Sequence, residues 1–254
     1  MYVMKFGGTS VTKPESVAAI VKLVKLGLAN QPVIVVSALS GVTDLLVKLS
    51  HSSDGDIREQ IFTELAFKHD SWIDNILADN DLAQIKAHQI VDDYFCELIE
   101  LLKSQIITSQ LELHDSVVAF GEKISSALIS FYLRLHDIGA EQLLATKCII
   151  TTSQFGGADF IDAPTKKASK LSILPLVKQG IVPVITGFIG ANKAGQTTIL
   201  GRGGSDYSAA IIGYAIQASE IQIWTDVNGV YSADPRVIKT AKIVKKLSYQ
   251  EAAE

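Results

Sequence analysis

The 254-residue chain is 48% hydrophobic and 20% charged with a net charge of −4, the balance of an ordinary globular protein with room for one large or two small domains. That charge excludes a general nucleic-acid or anionic-membrane binder, so a phosphate ligand has to be held by local positive groups. No stretch reaches the roughly 18 consecutive apolar residues of a membrane span, and the opening Met1-Tyr2-Val3-Met4-Lys5 lacks the order of a secretion signal, so the chain reads as cytoplasmic. Cys96 and Cys148 belong to no CxxC pair and read as buried, reduced thiols.

In chain order, Tyr2–Phe6 is a short strand running straight into Gly7-Gly8-Thr9-Ser10. Thr12 and Glu15 have capping-box spacing, Pro14 suits a first turn, and Val17, Ile20, Val21, Val24 and Leu28 repeat at helical spacing, giving a strand, a glycine loop and a helix. Such a loop can cradle phosphate with Lys5 at the strand end to reach it, although it matches neither GxxxxGK[ST] nor GxGxxG. Pro32–Ser37 is a continuous apolar run ending in hydroxyls, as a parallel strand buried on both faces would be. Ser37 and Thr43 then either contact a ligand at the strand's carboxyl end or cap the helix carrying Leu45, Leu46 and Leu49, and capping is the reading favoured by the residues alone.

Residues 51 to about 112 read as a helical insert, marked by Ile61, Leu65, Trp72, Ile73, Ile76 and Leu77. Its histidines, His51, His69 and His88, lack metal-ligand spacing and read as surface or capping residues; no metal ligand is assigned. Ser116 starts a long amphipathic helix stopped by Gly139, in which Glu122 is either a partly buried acceptor for a cation or an ordinary surface glutamate, the latter favoured by composition. Strands follow over Gln142–Ile150, Ile181–Thr186 and Glu220–Thr225. The basic residues Arg236, Lys239, Lys242, Lys245 and Lys246 near the end read as a solvated face.

Leu200-Gly201-Arg202-Gly203-Gly204-Ser205-Asp206 joins three glycines, a cation, a hydroxyl and a carboxylate ahead of an apolar-periodic run. With Ser205 as its N-cap, the loop is either an anion site at a helix N-terminus or a solvent-exposed turn. Asp226 to Arg236, with Asn228-Gly229 and Asp234-Pro235, is turn chemistry that could equally bracket a nucleotide.

Taken together, Lys5-Phe6-Gly7-Gly8-Thr9-Ser10-Val11, Phe120-Gly121-Glu122, Gly187-Phe188-Ile189-Gly190, the LGRGGSD stretch and Trp224-Thr225-Asp226-Val227 through Asp234-Pro235-Arg236 resemble aspartate kinase. The resemblance covers essentially the whole chain. It implies an α/β fold, a three-layer αβα sandwich around a mainly parallel sheet. A substrate lobe would cover about 1–190 and a nucleotide lobe about 191–254. The implied reaction moves the γ-phosphoryl group of ATP, with Mg²⁺, onto the side-chain carboxylate of L-aspartate. By the family pattern Lys5 and Asp206 are catalytic, with the Gly7 and Gly8 amides beside Lys5. Arg202 holds an aspartate carboxylate, Glu122 accepts from the ammonium, and Ser37, Thr43, Phe188 and Ser205 complete that pocket. Thr225, Asp226, Tyr231 and Arg236 fall on the nucleotide side. Two departures stand out. Thr197 and Thr198 are followed by Ile199 where the family has a third threonine. The chain also stops at Glu254, before the family's FGAKVLHP segment and without its ACT regulatory domains, which implies a catalytic-domain fragment and leaves a homodimer of the longer protein open.

Overall fold

The computed structural model describes residues 1–104, 106–107, 109–201, 203–227, 229–234, 237–248 and 250–251. They fall into two compact units, Met1–Trp224 and Thr225–Glu254. The apolar runs of the first unit become strands buried along their whole length: β1 (Tyr2–Phe6), β2 (Pro32–Val36) and β5 (Val182–Thr186). With β3 (Ala140–Leu143) and β8 (Ile221–Trp224) they form a sheet ordered β3-β5-β2-β1-β8, in which every neighbouring pair is parallel. A second sheet, β4-β6-β7, consists of β4 (Ile150–Thr151), β6 (Ile189–Asn192) and β7 (Thr197–Ile199), the last two joined as an antiparallel hairpin.

The helices are α1 (Gly8–Thr12), α2 (Pro14–Gly27), α3 (Val42–His51), α4 (Gly55–Ile76), α5 (Asp81–Lys103), α6 (Gln110–Val118), α7 (Phe120–Leu135), α8 (Asp162–Lys178) and α9 (Gly204–Ile216). Strand side chains alternate between faces, and the two faces feed two cores. Met4, Phe6, Ile34, Val36 and Val184 pack with residues of α2 to α5 and α7. Val3, Val33, Val35 and Ile185 pack instead with Ile173 of α8 and Ala209 and Ile212 of α9. This is the three-layer α/β arrangement the sequence implies. Lys5 shares the parity of Val3, so it leaves the sheet on the α9 side.

Several local expectations are corrected. Thr12 caps no helix: its hydroxyl donates to the Gly8 carbonyl and accepts from the Ser40 amide, while Lys13 occupies the N-cap of α2 without a side-chain bond. Neither Ser37 nor Thr43 caps α3, whose N-cap is Gly41 at φ 77°. The helix expected from Ser116 is two helices, α6 and α7, meeting at Ala119, and α7 ends at Leu135, before Gly139. The strand expected over 142–150 splits into β3 and β4, which belong to different sheets. Cys148 is buried as expected, but Cys96 is exposed. The stretch Gln110–Leu135 does have the length and hydropathy of a membrane span, yet 83% of that window is buried inside the protein, as in a core helix.

The insert packs where it can support the glycine loop. Trp72 on α4 donates its indole N–H to the Val11 carbonyl at 2.8 Å, tying the insert to α1. His51 and His88 lie at or near the surface, as read. His69 does not: it is fully buried against Phe95, its Nδ1 lies 2.7 Å from the Leu65 carbonyl, and its Nε2 has no partner. Burial lowers its pKa to about 4. The unfolded chain therefore takes up this proton first, so the stability His69 contributes is present above pH ~6.5 and is lost as pH falls toward about 4, on the order of 3 kcal/mol in all. Urea unfolding at pH 7 and pH 4.5 should show a smaller acid loss in His69→Leu than in the wild type. Equal losses in the two proteins would reject this assignment.

In the second unit, Tyr231 and Ile243 form an antiparallel bridge, flanked by the Ser232 amide donating to the Lys242 carbonyl and the Val244 amide to the Val230 carbonyl. The Thr225 hydroxyl donates to Asp226 Oδ1 at 3.1 Å, and Ser248 and Glu251 exchange capping bonds. Lys239, Lys242, Lys245 and Lys246 are exposed, consistent with a solvated face.

Candidate active site

Parallel strands deliver their carboxyl ends to one rim, the usual ligand edge of an open α/β sheet. Here the register places Phe6 opposite Val36 and Trp224, and Val36 opposite Thr186. Lys5 is one residue from that edge. Its ammonium lies 2.7 Å from Asp206 Oδ1 in the first turn of α9, with the lysine side chain 11% exposed and the aspartate 55%. The ion pair therefore joins a nearly buried cation to a carboxylate half open to solvent. Gly7 follows directly, and a Cβ on it would sit 3.6 Å from the Lys5 nitrogen. The Gly7 amide is engaged, weakly, with the Trp224 carbonyl at 3.4 Å. Gly8 begins α1, where amides have no preceding helical carbonyl to bond.

The turn before α9 is built on backbone freedom. Gly201 and Gly203 have φ of 78° and 68°, and Gly203 is the N-cap. Ser205 is thus inside the helix and caps nothing. The segment closes on β5 through Gly187, where any Cβ would lie 2.7 Å from the Ser205 hydroxyl and 2.9 Å from the Val36 carbonyl. Phe188 holds φ 66°, a left-handed conformation that costs about 1 kcal/mol or more for an aromatic residue. It is fixed on both sides: its amide donates to Ser208 Oγ at 2.9 Å, and its carbonyl accepts from Leu200 at 2.8 Å.

The third wall is the start of α7. Gly121 lets the helix lie against Ala38, whose Cβ would be 2.8 Å from an added Cβ, and this turns Glu122 inward. Glu122 is 3% exposed, not the surface residue that composition favours. One oxygen accepts from the Ala38 amide at 3.2 Å and the other has no partner. Desolvation dominates and raises its pKa to about 8, against the lowering effect of the Ala38 amide. A buried carboxyl group with an unused oxygen and no ion pair among the described residues is suited to receiving a ligand cation.

The structure thus gathers Lys5, Gly7, Gly8, Glu122, Phe188, Ser205 and Asp206 around the ends of β1, β2 and β5. Ser37 lies at the end of β2, half-buried, its carbonyl accepting from the Ser125 hydroxyl at 2.6 Å. Thr43 is half-buried in the first turn of α3. Arg202 and Arg236 lie outside the described residues. Thr225, Asp226 and Tyr231 belong to the second unit. Ile199, in the third-threonine position, is buried in the α8/α9-side core, so a side chain there faces the interior. Thr198 is likewise internal, bonded to Thr151 at 2.7 Å.

A profile of the amino acid kinase family matches residues 1–254. The chain belongs to the amino acid kinase family. Within it, the chain is 35% identical over 256 residues to the lysine-sensitive aspartokinase 3 of Escherichia coli K12, covering 99% of this chain and 55% of that protein. Two solved structures of E. coli aspartokinase III match 100% of the chain. The complex with lysine and aspartate in the T-state has a TM-score of 0.87 at 31% identity and is covered over 56% of its length. The complex with aspartate and ADP in the R-state has a TM-score of 0.84 at 33% identity and is covered over 55%. The chain spans about half the length of these relatives.

A buried acid that motif reading missed is Asp115 on α6. It is fully buried, and its carboxylate accepts from the Gly156 amide at 3.1 and 3.0 Å and from the Ile199 amide at 3.1 Å. Burial raises its pKa, and those two amides oppose the rise. An acid within the mixed polar and apolar sequence of α6 gives no sign that its partners are backbone amides far along the chain.

Proposed function

We propose that this chain transfers the γ-phosphoryl group of ATP to the side-chain carboxylate of L-aspartate, giving 4-phospho-L-aspartate, the first step toward lysine, threonine and methionine. The observation that carries the reading is the 2.7 Å Lys5–Asp206 pair at the sheet's carboxyl edge. Phosphoryl transfer asks a protein mainly for in-line positioning and for charge against the moving group. A carboxylate oxygen of the substrate attacks the γ-phosphorus, the bond to the bridging oxygen breaks, and ADP leaves with that electron pair. Lys5 is the cation set beside the transferring oxygens, and Asp206 holds it there. Gly7 and Gly8 let the backbone approach the phosphates, and Thr225, Asp226, Tyr231 and Arg236 serve the nucleotide.

Two features favour a free amino acid as acceptor. The unused oxygen of Glu122 suits an ammonium, and Arg202 supplies a planar fork for a carboxylate. Ser37, Thr43, Phe188 and Ser205 complete that pocket. The E. coli structures bound to aspartate, and in one case ADP, support the same assignment. Among the described residues no three His, Cys, Asp or Glu side chains converge as a metal cage. Mg²⁺ would be held largely by the substrate phosphates, with Asp206 acting on it indirectly. So held, it would supply positive charge against the phosphates during transfer. Free Cys96 and Cys148 suit a reducing cytoplasm. ADP release should depend on L-aspartate, with little turnover on L-glutamate or N-acetylglutamate. Release that is independent of aspartate, or faster with N-acetylglutamate, would overturn the reading.

A further inference from the structure

We propose that Ser125 is a positioning residue for the amino-acid pocket: together with Glu122 it grips the peptide unit between Ser37 and Ala38 at both ends, which aims the Ala38 amide at the Glu122 carboxyl. The inference rests on the reading of Glu122 as the ammonium acceptor and adds a residue that sets its charge. Glu122 and Ser125 lie three apart on α7, so they share one face of the helix. The fully buried Ser125 hydroxyl donates to the Ser37 carbonyl at 2.6 Å, and the Ala38 amide donates to Glu122 Oε1 at 3.2 Å. That carbonyl and that amide are the two ends of a single planar peptide. The Glu122 carbonyl, at 3.4 Å, is a much longer alternative for the Ser125 proton.

Neighbouring contacts hold the chain on either side of this peptide without setting its plane. The Ser37 amide bonds the Phe6 carbonyl at 3.2 Å, but the Ser37 carbonyl has run past the end of the ladder and has no backbone donor among the described residues. Ala38 is seated on Gly121, where an added Cβ would lie 2.8 Å from the alanine methyl. From Ser40 onward the loop is carried by the Thr12 hydroxyl and by the Val42 amide bond to Leu39. Two anchored Cα atoms still allow the rigid peptide between them to rotate about the line that joins them. The Ser125 hydroxyl resists that rotation at the carbonyl end. Without it the carbonyl lacks its donor, the plane turns to recover one, and the Ala38 amide comes off Glu122. That amide and the amide of Glu122 itself oppose the effect of burial on this carboxyl, and no charged side chain among the described residues contributes. Losing one of the two therefore raises the pKa further above about 8. The Lys5–Asp206 pair belongs to β1 and α9, outside this contact, so substrate affinity and turnover separate.

The test compares the wild type with Ser125→Ala, with Ser125→Cys, which keeps the size but donates weakly, and with Ser130→Ala as control. Ser130 is a buried serine of the same helix whose hydroxyl bonds stay within α7, donating to the Ala127 carbonyl and accepting from Arg134. Carboxyl-carbon NMR of the ligand-free chain follows the Glu122 titration directly. Its midpoint should rise by about one pH unit in Ser125→Ala, the scale of losing one hydrogen bond to a charged acceptor, by less in Ser125→Cys, and not at all in Ser130→Ala. Because the ammonium pairs with the ionised form, the dissociation constant for L-aspartate at pH 7 should rise about tenfold in Ser125→Ala, with turnover at saturating aspartate within about threefold. An unchanged midpoint in Ser125→Ala, or an equal rise in Ser130→Ala, overturns the positioning role. Should Ser125→Ala not fold, Ser125→Cys is read against the same control. A shifted midpoint in a chain that binds no aspartate leaves the grip on the peptide standing and overturns the pocket assignment alone.

Discussion

Lys5→Met is expected to lower aspartate-dependent turnover by about a hundredfold or more, the scale for removing one preorganised donor from a transition state, while leaving the fold nearly as stable as before. The separation follows from the asymmetry of the ion pair. Lys5 lies on a central strand between Val35 and Ile223, with its side chain 11% exposed, whereas Asp206 is 55% exposed. Methionine matches the lysine stem and removes a costly charge, and the aspartate left behind is solvated. The reverse change is not equivalent. Asp206→Ala strands a nearly buried ammonium, so it should cost about 1–2 kcal/mol, a value discounted from fully buried pairs because one partner is half in water. Steady-state kinetics and urea unfolding on both variants check the pattern. A Lys5→Met enzyme with wild-type turnover, or an Asp206→Ala protein as stable as Lys5→Met, would contradict the roles given to the pair.

The sheet was legible because its strands are extreme cases. Val33 to Val36 and Val182 to Ile185 are runs that only a strand covered on both faces can use, so they imply a layer of helices on each side of the sheet. Caps were the least legible feature. Ser37, Thr43 and Ser205 are good capping residues, but the helix starts are set by glycines in left-handed turns, Gly41 and Gly203, because the chain has to reverse sharply at the sheet edge. Local preference yields there to the geometry of the rim. The same competition hid His69: a histidine among polar neighbours in sequence is carried into the interior by the pairing of α4 with α5.

The site was legible where it depends on backbone and parity. Lys5 at the end of an apolar strand and Asp206 just after a glycine turn are both local signals, and they meet through the parallel order of β1 and its neighbours. Glu122 was ambiguous because nothing near it in sequence says that Gly121 allows α7 to rest on Ala38. Asp115 could not be read at all, since its three bonds run to amides at Gly156 and Ile199. Long-range contacts to main chain leave no trace in side-chain pattern.

Binding of L-aspartate at pH 7 is expected to release close to one proton, and Glu122 is its source. In the free chain this carboxyl is buried with a single amide bond, and its pKa stands at about 8, so at neutral pH it is mostly protonated. Pairing with the substrate ammonium, as proposed, favours the ionised form and expels the proton. The sign for stability is opposite to that of a salt-bridged acid. Because the folded pKa lies above the unfolded value of 4.5, the folded state holds the proton more tightly. Its contribution is complete below pH ~4.5 and is lost as pH rises toward about 8, on the order of 5 kcal/mol at the limit. Glu122→Gln keeps the shape without the titration. It should therefore be more stable than the wild type at pH 9, bind aspartate at least tenfold more weakly for want of a countercharge, and release no proton. Calorimetric binding enthalpies measured in buffers of different ionisation enthalpy report the proton directly. A wild-type enthalpy that does not change with buffer would mean that Glu122 is already ionised in the free chain or does not receive the ammonium. Glu122→Gln at pH 9 distinguishes these, since a gain in stability there leaves only the second.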